Sequence, residues 1–112
     1  MRVMVVGGDD ADCTFIVSMA LDRLSRSAHI TGILRGPDEE ASEAAFRWWQ
    51  RHFFAPVEPS MAPADIVVIL PGVRSTQRFR EAQRQPCSIV FVTPQGELGT
   101  PERYQPMPRG EA

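Results

Sequence analysis

Hydrophobic and polar positions alternate between two periods along this chain, and each change of period marks an element. Arg2–Val6 is a short β-branched run closed by Gly7 and Gly8, the pattern of a buried first strand. Across residues 12–27, Phe15, Ile16, Met19, Ala20 and Leu24 recur at three- and four-residue spacings. That spacing predicts an amphipathic helix, with Asp22, Arg23 and Arg26 on its outer face. Residues 30–34 predict a second strand, weakened by Gly32. Pro37 opens a second helix with Asp38, Glu39 and Glu40 in its first turn, where proline lacks a donor that would be orphaned and carboxylates offset the dipole. This helix runs through Ala41, Ala44, Ala45 and Trp48 to about Arg51.

Residues 53–57 predict a marginal strand ended by Pro56 and Pro59, and residues 65–70 the strongest strand of the chain. Its apolar run from Ile66 to Leu70 is expected where helices cover both faces of a sheet. A turn from Pro71 leads into a third predicted helix over residues 75–85, and residues 88–92 predict the last strand. The resulting order, βαβαββαβ, predicts an α/β, Rossmann-like three-layer sandwich on a mainly parallel five-stranded sheet. Beyond Thr93, four prolines and three glycines crowd the remaining 19 residues. That composition predicts a domain over residues 1–93 and an extended or disordered tail over residues 94–112.

Length and charge narrow the function. At 112 residues there is room for one domain, which at this size buries roughly two thirds of its unfolded surface. Twelve basic against 14 acidic residues leave a net charge of −2, without the basic excess of a nucleic-acid binder. No apolar run approaches the roughly 18 residues of a membrane span, and the apolar start at Met1 is too soon interrupted for a signal peptide. The expectation is a cytoplasmic domain that binds neither nucleic acid nor membrane. Cys13 and Cys87 read as two small buried hydrophobes, and His29 and His52 show no metal-ligand spacing. No cofactor and no metal are expected.

Two loops carry a resemblance. Gly7-Gly8 after the first strand, and Pro71-Gly72-Val73-Arg74-Ser75-Thr76 after the strongest one, resemble the small YspA-like members of the SLOG superfamily. This is a Rossmann-like group that includes the lysine-decarboxylase-like LOG enzymes and YpsA-type proteins. The resemblance spans residues 1–93. Family members open with a hydrophobic strand and Gly-Gly-Arg-Asp, and here Asp9 stands where arginine is usual. Their second loop reads His-Gly-Gly-Ala-x-Gly-Ala-Asp, of which Gly36 is retained, with Ala41 at the acidic position. Their Pro-Gly-Gly-x-Gly-Thr turn keeps Pro71, Gly72 and Thr76, with Val73 and Ser75 in place of the other glycines.

The resemblance implies a nucleotide-derived ligand at the carboxyl ends of the strands, held by Gly7, Gly8, Gly36, Pro71, Gly72, Arg74, Ser75 and Thr76. In the LOG branch such a site cleaves the N-glycosidic bond of nucleoside monophosphates. The glutamate that follows the glycine turn in those enzymes has no counterpart here, since Gln77, Arg78, Phe79 and Arg80 follow Thr76, so catalysis is not expected.

The residues themselves support the last loop best. Gly72 permits close backbone approach, Ser75 and Thr76 offer hydroxyls, and Arg74 supplies a countercharge, although Pro71-Gly72 also reads as a plain turn and Ser75 as an N-cap. Asp9, Asp10 and Asp12 at one helix start, and Asp38, Glu39 and Glu40 at the other, repel an anion. Like charges ~5 Å apart cost about 3 kcal/mol at an effective dielectric near 20. The alternative reading is a scaffold without a working pocket that acts through protein contacts. Trp48 falls on the alanine stripe, whereas Trp49 is turned ~100° from it and groups with Phe46. Phe46, Trp49 and Phe53 then either widen the core face or form an interface to a homodimer or another protein partner.

Overall fold

The computed structural model describes residues 1–7, 13–36, 39–53, 64–72 and 86–105. It is α/β: β1 (Arg2–Val6), α1 (Thr14–Ser27), β2 (Gly32–Leu34), α2 (Glu39–Phe53), β3 (Ile66–Ile69), β4 (Cys87–Phe91) and β5 (Glu102–Tyr104). The strands form one sheet in the order β2-β1-β3-β4-β5, parallel except for β5, which runs antiparallel to β4. Registers such as Val3↔Ile33, Val5↔Val68 and Val68↔Val90 bring β-branched residues side by side across the middle of the sheet.

Two sequence expectations change. Phe53 ends α2 rather than opening a strand, and residues 54–57 lie outside the described residues, as does the predicted helix over 75–85. The fifth strand comes instead from the stretch expected to be an extended or disordered tail. Composition misleads there because its prolines and glycines shape a turn. Gly96 N–H donates to the Thr93 carbonyl, Glu97 N–H donates to Thr93 Oγ1, and Val92 bridges Leu98. The chain then returns along β4 with Cys87 opposite Tyr104.

Alternation along the strands sorts the core into two faces. Val3, Val5, Ile33, Ile66, Val68, Leu70 and Val90 point to one face, where α1 contributes Val17, Ala20, Leu21 and Leu24 and α2 contributes Ala41, Ala44, Ala45 and Trp48. Val6, Leu34, Val67, Ile69, Cys87 and Ile89 point to the other face and are equally buried, with Tyr104 packed against them. Neither described helix lies on that second face.

The placement of both helices on one face has a topological consequence. The crossover from β1 to β2 and the crossover from β2 to β3 run in opposite directions along the sheet. With α1 and α2 on the same side, the two crossovers have opposite hands, so one of them is left-handed. Nearly all parallel crossovers are right-handed, which in a 2-1-3 order would put the two helices on opposite faces.

The helices are pinned to each other by one polar contact. Trp48 is 1% exposed, and its indole Nε1–H donates to Asp22 Oδ1 at 2.7 Å. His52, one turn on, stacks on the Trp48 ring at 4.5 Å, with Nδ1 2.9 Å from the Trp48 carbonyl and Nε2 3.3 Å from Asp22 Oδ1. Both ring nitrogens therefore face oxygen atoms. Asp22→Ala leaves the buried indole N–H without its acceptor, at a cost of about 1–2 kcal/mol. The expected outcome is a melting temperature lowered by about 5–10 °C for a domain near 100 residues, with Asp22→Asn, which keeps an acceptor, closer to the parent. Calorimetry of the three proteins checks this.

Candidate functional site

In an open parallel sheet, ligands bind beyond the carboxyl ends of the strands, where neighbouring strands send their connections in opposite directions. Here that position is the β1–β3 pair, since β1 leads to β2 on one side and β3 leads to β4 on the other. The two strands are locked at this end by Val6 opposite Ile69 and by the Leu70 N–H on the Val6 carbonyl at 2.8 Å. The chain leaves both strands through a glycine with positive φ, Gly7 at 111° and Gly72 at 151°. Such values are open to glycine and strained for other residues, so each exit turns where a side chain would be costly.

Gly7 is buried, Pro71 half-buried and Gly72 exposed. α1 then begins at Thr14 after Cys13, which provides no side-chain cap, and its first turn carries no acidic residue. Phe15 in that turn is 66% exposed, the most exposed large apolar side chain among the described residues. On the far side, the turn that follows β4 reaches α1, where the Arg23 guanidinium donates to the Gln95 carbonyl at 3.4 Å. The carboxyl edge is thus bounded by the start of α1 and the hairpin after β4.

Gly36 has a different job. Its N–H donates to the hydroxyl of Ser42 at 2.9 Å, and Ser42 is a fully buried polar residue on α2. A Cβ at Gly36 would lie 2.7 Å from the Val5 carbonyl oxygen and 3.2 Å from Met4 Cγ. The glycine thus lets the link after β2 press against β1, and its amide is spent on Ser42. Arg35 beside it holds its guanidinium 5.0 Å from the centre of the Phe46 ring. The carboxylates expected to repel an anion at α2 are present as Glu39 and Glu40, both exposed in its first turn. Gly8, Asp9, Asp10, Asp12, Asp38, Arg74, Ser75 and Thr76 lie outside the described residues.

The aromatic residues of α2 divide as their spacing implies. Trp48 is core, whereas Phe46 and Trp49 are half-buried at the margin of the first core face. Trp49 stacks on Phe53 at 4.3 Å, and Phe53 is 42% exposed. Cys13 and Cys87 are free and buried. Burial pushes the Cys87 thiol above its ordinary pKa, and Arg103 on β5 pulls the other way. The hairpin contact of Arg23 and the Gly36–Ser42 bond were not foreseen in the sequence, because each joins segments whose proximity only the fold creates.

Compared with models of protein families, with curated proteins and with solved structures, the chain matches none. Among the described residues no helix is long and apolar enough to cross a membrane.

Gly36→Ala is expected to destabilise the fold by about 1–3 kcal/mol, because the clash is with backbone and a bulky neighbour rather than a free side-chain end. Ser42→Ala costs a similar amount by orphaning the Gly36 amide. Urea unfolding of both variants reads the effect, and a neutral result for both would remove the packing role from this loop.

Proposed function

We propose that this chain binds a nucleotide or nucleotide-derived anion at the carboxyl edge of its sheet, and does so without catalysis. The observation that carries the reading is the pair of positive-φ glycines, Gly7 and Gly72, at the exits of adjacent strands β1 and β3. Glycine there lets a ligand approach the backbone at the point where an α/β sheet opens a crevice. In this reading Gly8, Pro71, Arg74, Ser75 and Thr76 complete the site, with Arg74 as countercharge and the two hydroxyls as donors. Gly36 is left out of it, since its amide is already bonded and its space is filled.

The proposal includes a compact SLOG-like, Rossmann-like domain with a third layer. Its support is the burial of Val67, Ile69 and Cys87 on the face that neither α1 nor α2 touches. The same-face placement of α1 and α2 is where the chain departs from a doubly wound sheet.

A thermal-shift screen against nucleotides, ADP-ribose and related anions tests the binding. A ligand at 100 times its Kd adds about 2.7 kcal/mol, a rise of several degrees in Tm for a domain of this length. Arg74→Ala is expected to reduce that rise and leave the unliganded Tm unchanged. No rise with any anion, or a rise unaltered in Arg74→Ala, overturns the assignment.

A further inference from the structure

Charge is separated along this molecule, and the total of −2, from which no nucleic-acid partner is expected, conceals it. α1 follows β1 and leads into parallel β2, so it ends, at Ser27, beside the amino ends of the strands. α2 runs alongside, pinned by the Asp22–Trp48 bond, and its last residue Phe53 reaches the same end. Gathered there, all exposed, are Arg2 on β1, Arg26 on α1, Arg51 on α2 and Arg103 on β5, with Arg47 one turn before Arg51. The carboxylates described at this end are Asp22, which accepts the Trp48 indole N–H, and Asp65, which accepts the Arg2 amide. Glu39, Glu40, Glu43 and Glu97 lie towards the carboxyl end, in the first half of α2 and in the hairpin after β4, against Arg35. Cations in the last turn of a helix complement its dipole, which accounts for Arg26 and Arg51. It does not account for Arg2, Arg47 and Arg103.

The same end carries flat rings. His52 stacks on buried Trp48 at 4.5 Å and Phe53 stacks on Trp49 at 4.3 Å, so two ring pairs lie side by side in the last turn of α2. The outer member of each pair is open to solvent, the His52 side chain 46% and Phe53 42% exposed. Each is backed by a tryptophan, so its orientation is set before anything binds. The arginines flank these rings. Asp22 and Trp48 are level on two parallel helices, so four residues on, Arg26 comes level with His52, and Arg51 precedes it in the chain.

We infer that this end of the molecule binds single-stranded nucleic acid, with bases stacked on His52 and Phe53 and phosphates on Arg26, Arg51 and their basic neighbours. Charge complementarity calls for a polyanion, and the rings select which one. An acidic peptide uses the arginines and leaves the rings idle. A duplex keeps its base faces inside its own stack. A membrane surface needs a broader apolar face, and His52 at the centre of the patch is polar. A single strand offers phosphates to the arginines and unpaired bases to the rings, the combination by which such strands are held without sequence preference. The site lies at the opposite end of the strands from the carboxyl edge and does not rest on the reading proposed there.

Fluorescence anisotropy of a labelled single strand of about twelve nucleotides, titrated with the full chain, tests this. Binding is expected at low salt, with log K falling by about 0.7 per phosphate contact for each tenfold rise in salt. Arg26→Gln and Arg51→Gln are each expected to weaken binding and to flatten that slope by one contact. Phe53→Leu keeps apolar cover over Trp49 but loses the ring, and is expected to weaken binding at least fivefold. Phe53→Tyr keeps the ring and stays near the parent. An unchanged circular dichroism spectrum shows that these variants still fold. No binding at low salt overturns the inference, as does binding indifferent to Arg26 and Arg51. So does equal binding of a duplex of the same sequence with Phe53→Leu neutral, which marks a contact of charge alone. Capture by anionic vesicles without binding of the strand overturns it too.

Discussion

The helical layer depends on finding an acceptor for one buried N–H. Trp48 is the largest fully buried side chain among the described residues. Burying an indole is favourable only if its Nε1–H is bonded, because an orphaned donor costs about as much as one or two ordinary hydrogen bonds gain. Asp22 meets that requirement from α1, and the geometry of a 2.7 Å bond fixes which turn of α1 faces which turn of α2. His52 then seals the contact from outside by stacking on the ring and reaching the same carboxylate. With that side of α2 committed to α1, Phe46 and Trp49 on the other flank pack half-buried at the margin of the core, with Arg35 over the Phe46 ring.

That pairing also accounts for the unusual winding. A sheet in the order β2-β1-β3 ordinarily sends successive helices to opposite faces, because right-handed crossovers in opposite directions do so. Here α1 and α2 share a face and a polar contact, and a shared face requires one crossover of the other hand. The cost of a left-handed crossover lies in fitting the twist of strand and helix, and it must be recovered from packing. The alanine stripe of Ala41, Ala44 and Ala45 lets α2 lie close to β1 and β2, and Trp48 fills the remaining volume towards α1.

The sequence carried the elements further than their arrangement. Period alone located α1, α2 and the strands β1 to β4 to within about two residues, since each is long enough to repeat its pattern. It assigned Trp48 to the core from its place on the alanine stripe. Strand β5 was missed because three residues, Glu102 to Tyr104, cannot display a period, and the proline and glycine around them read as an extended or disordered tail rather than as a turn leading into a paired strand. The face occupied by each helix was illegible, because an amphipathic stripe says that a helix is covered, not by what. The Asp22–Trp48 bond joins residues 26 apart, and nothing local marks Asp22 as different from the charged residues beside it.

The glycines show why a motif match and a site are different things. Gly7, Gly36 and Gly72 stand alike in the resemblance to ligand-binding loops, yet they answer to different constraints. At Gly36 the limit is space, since the backbone of β1 leaves no room for a Cβ and the amide is held by buried Ser42. A substitution there would be selected against whether or not a ligand ever bound. At Gly7 and Gly72 the limit is conformation, imposed where two adjacent strands end together and the chain departs in opposite directions. A turn with positive φ at one strand end is common, whereas here two lie side by side at the opening of a parallel sheet. The case for a ligand therefore rests on the β1–β3 exits, and the second loop contributes the packing that holds β1 in place beside them.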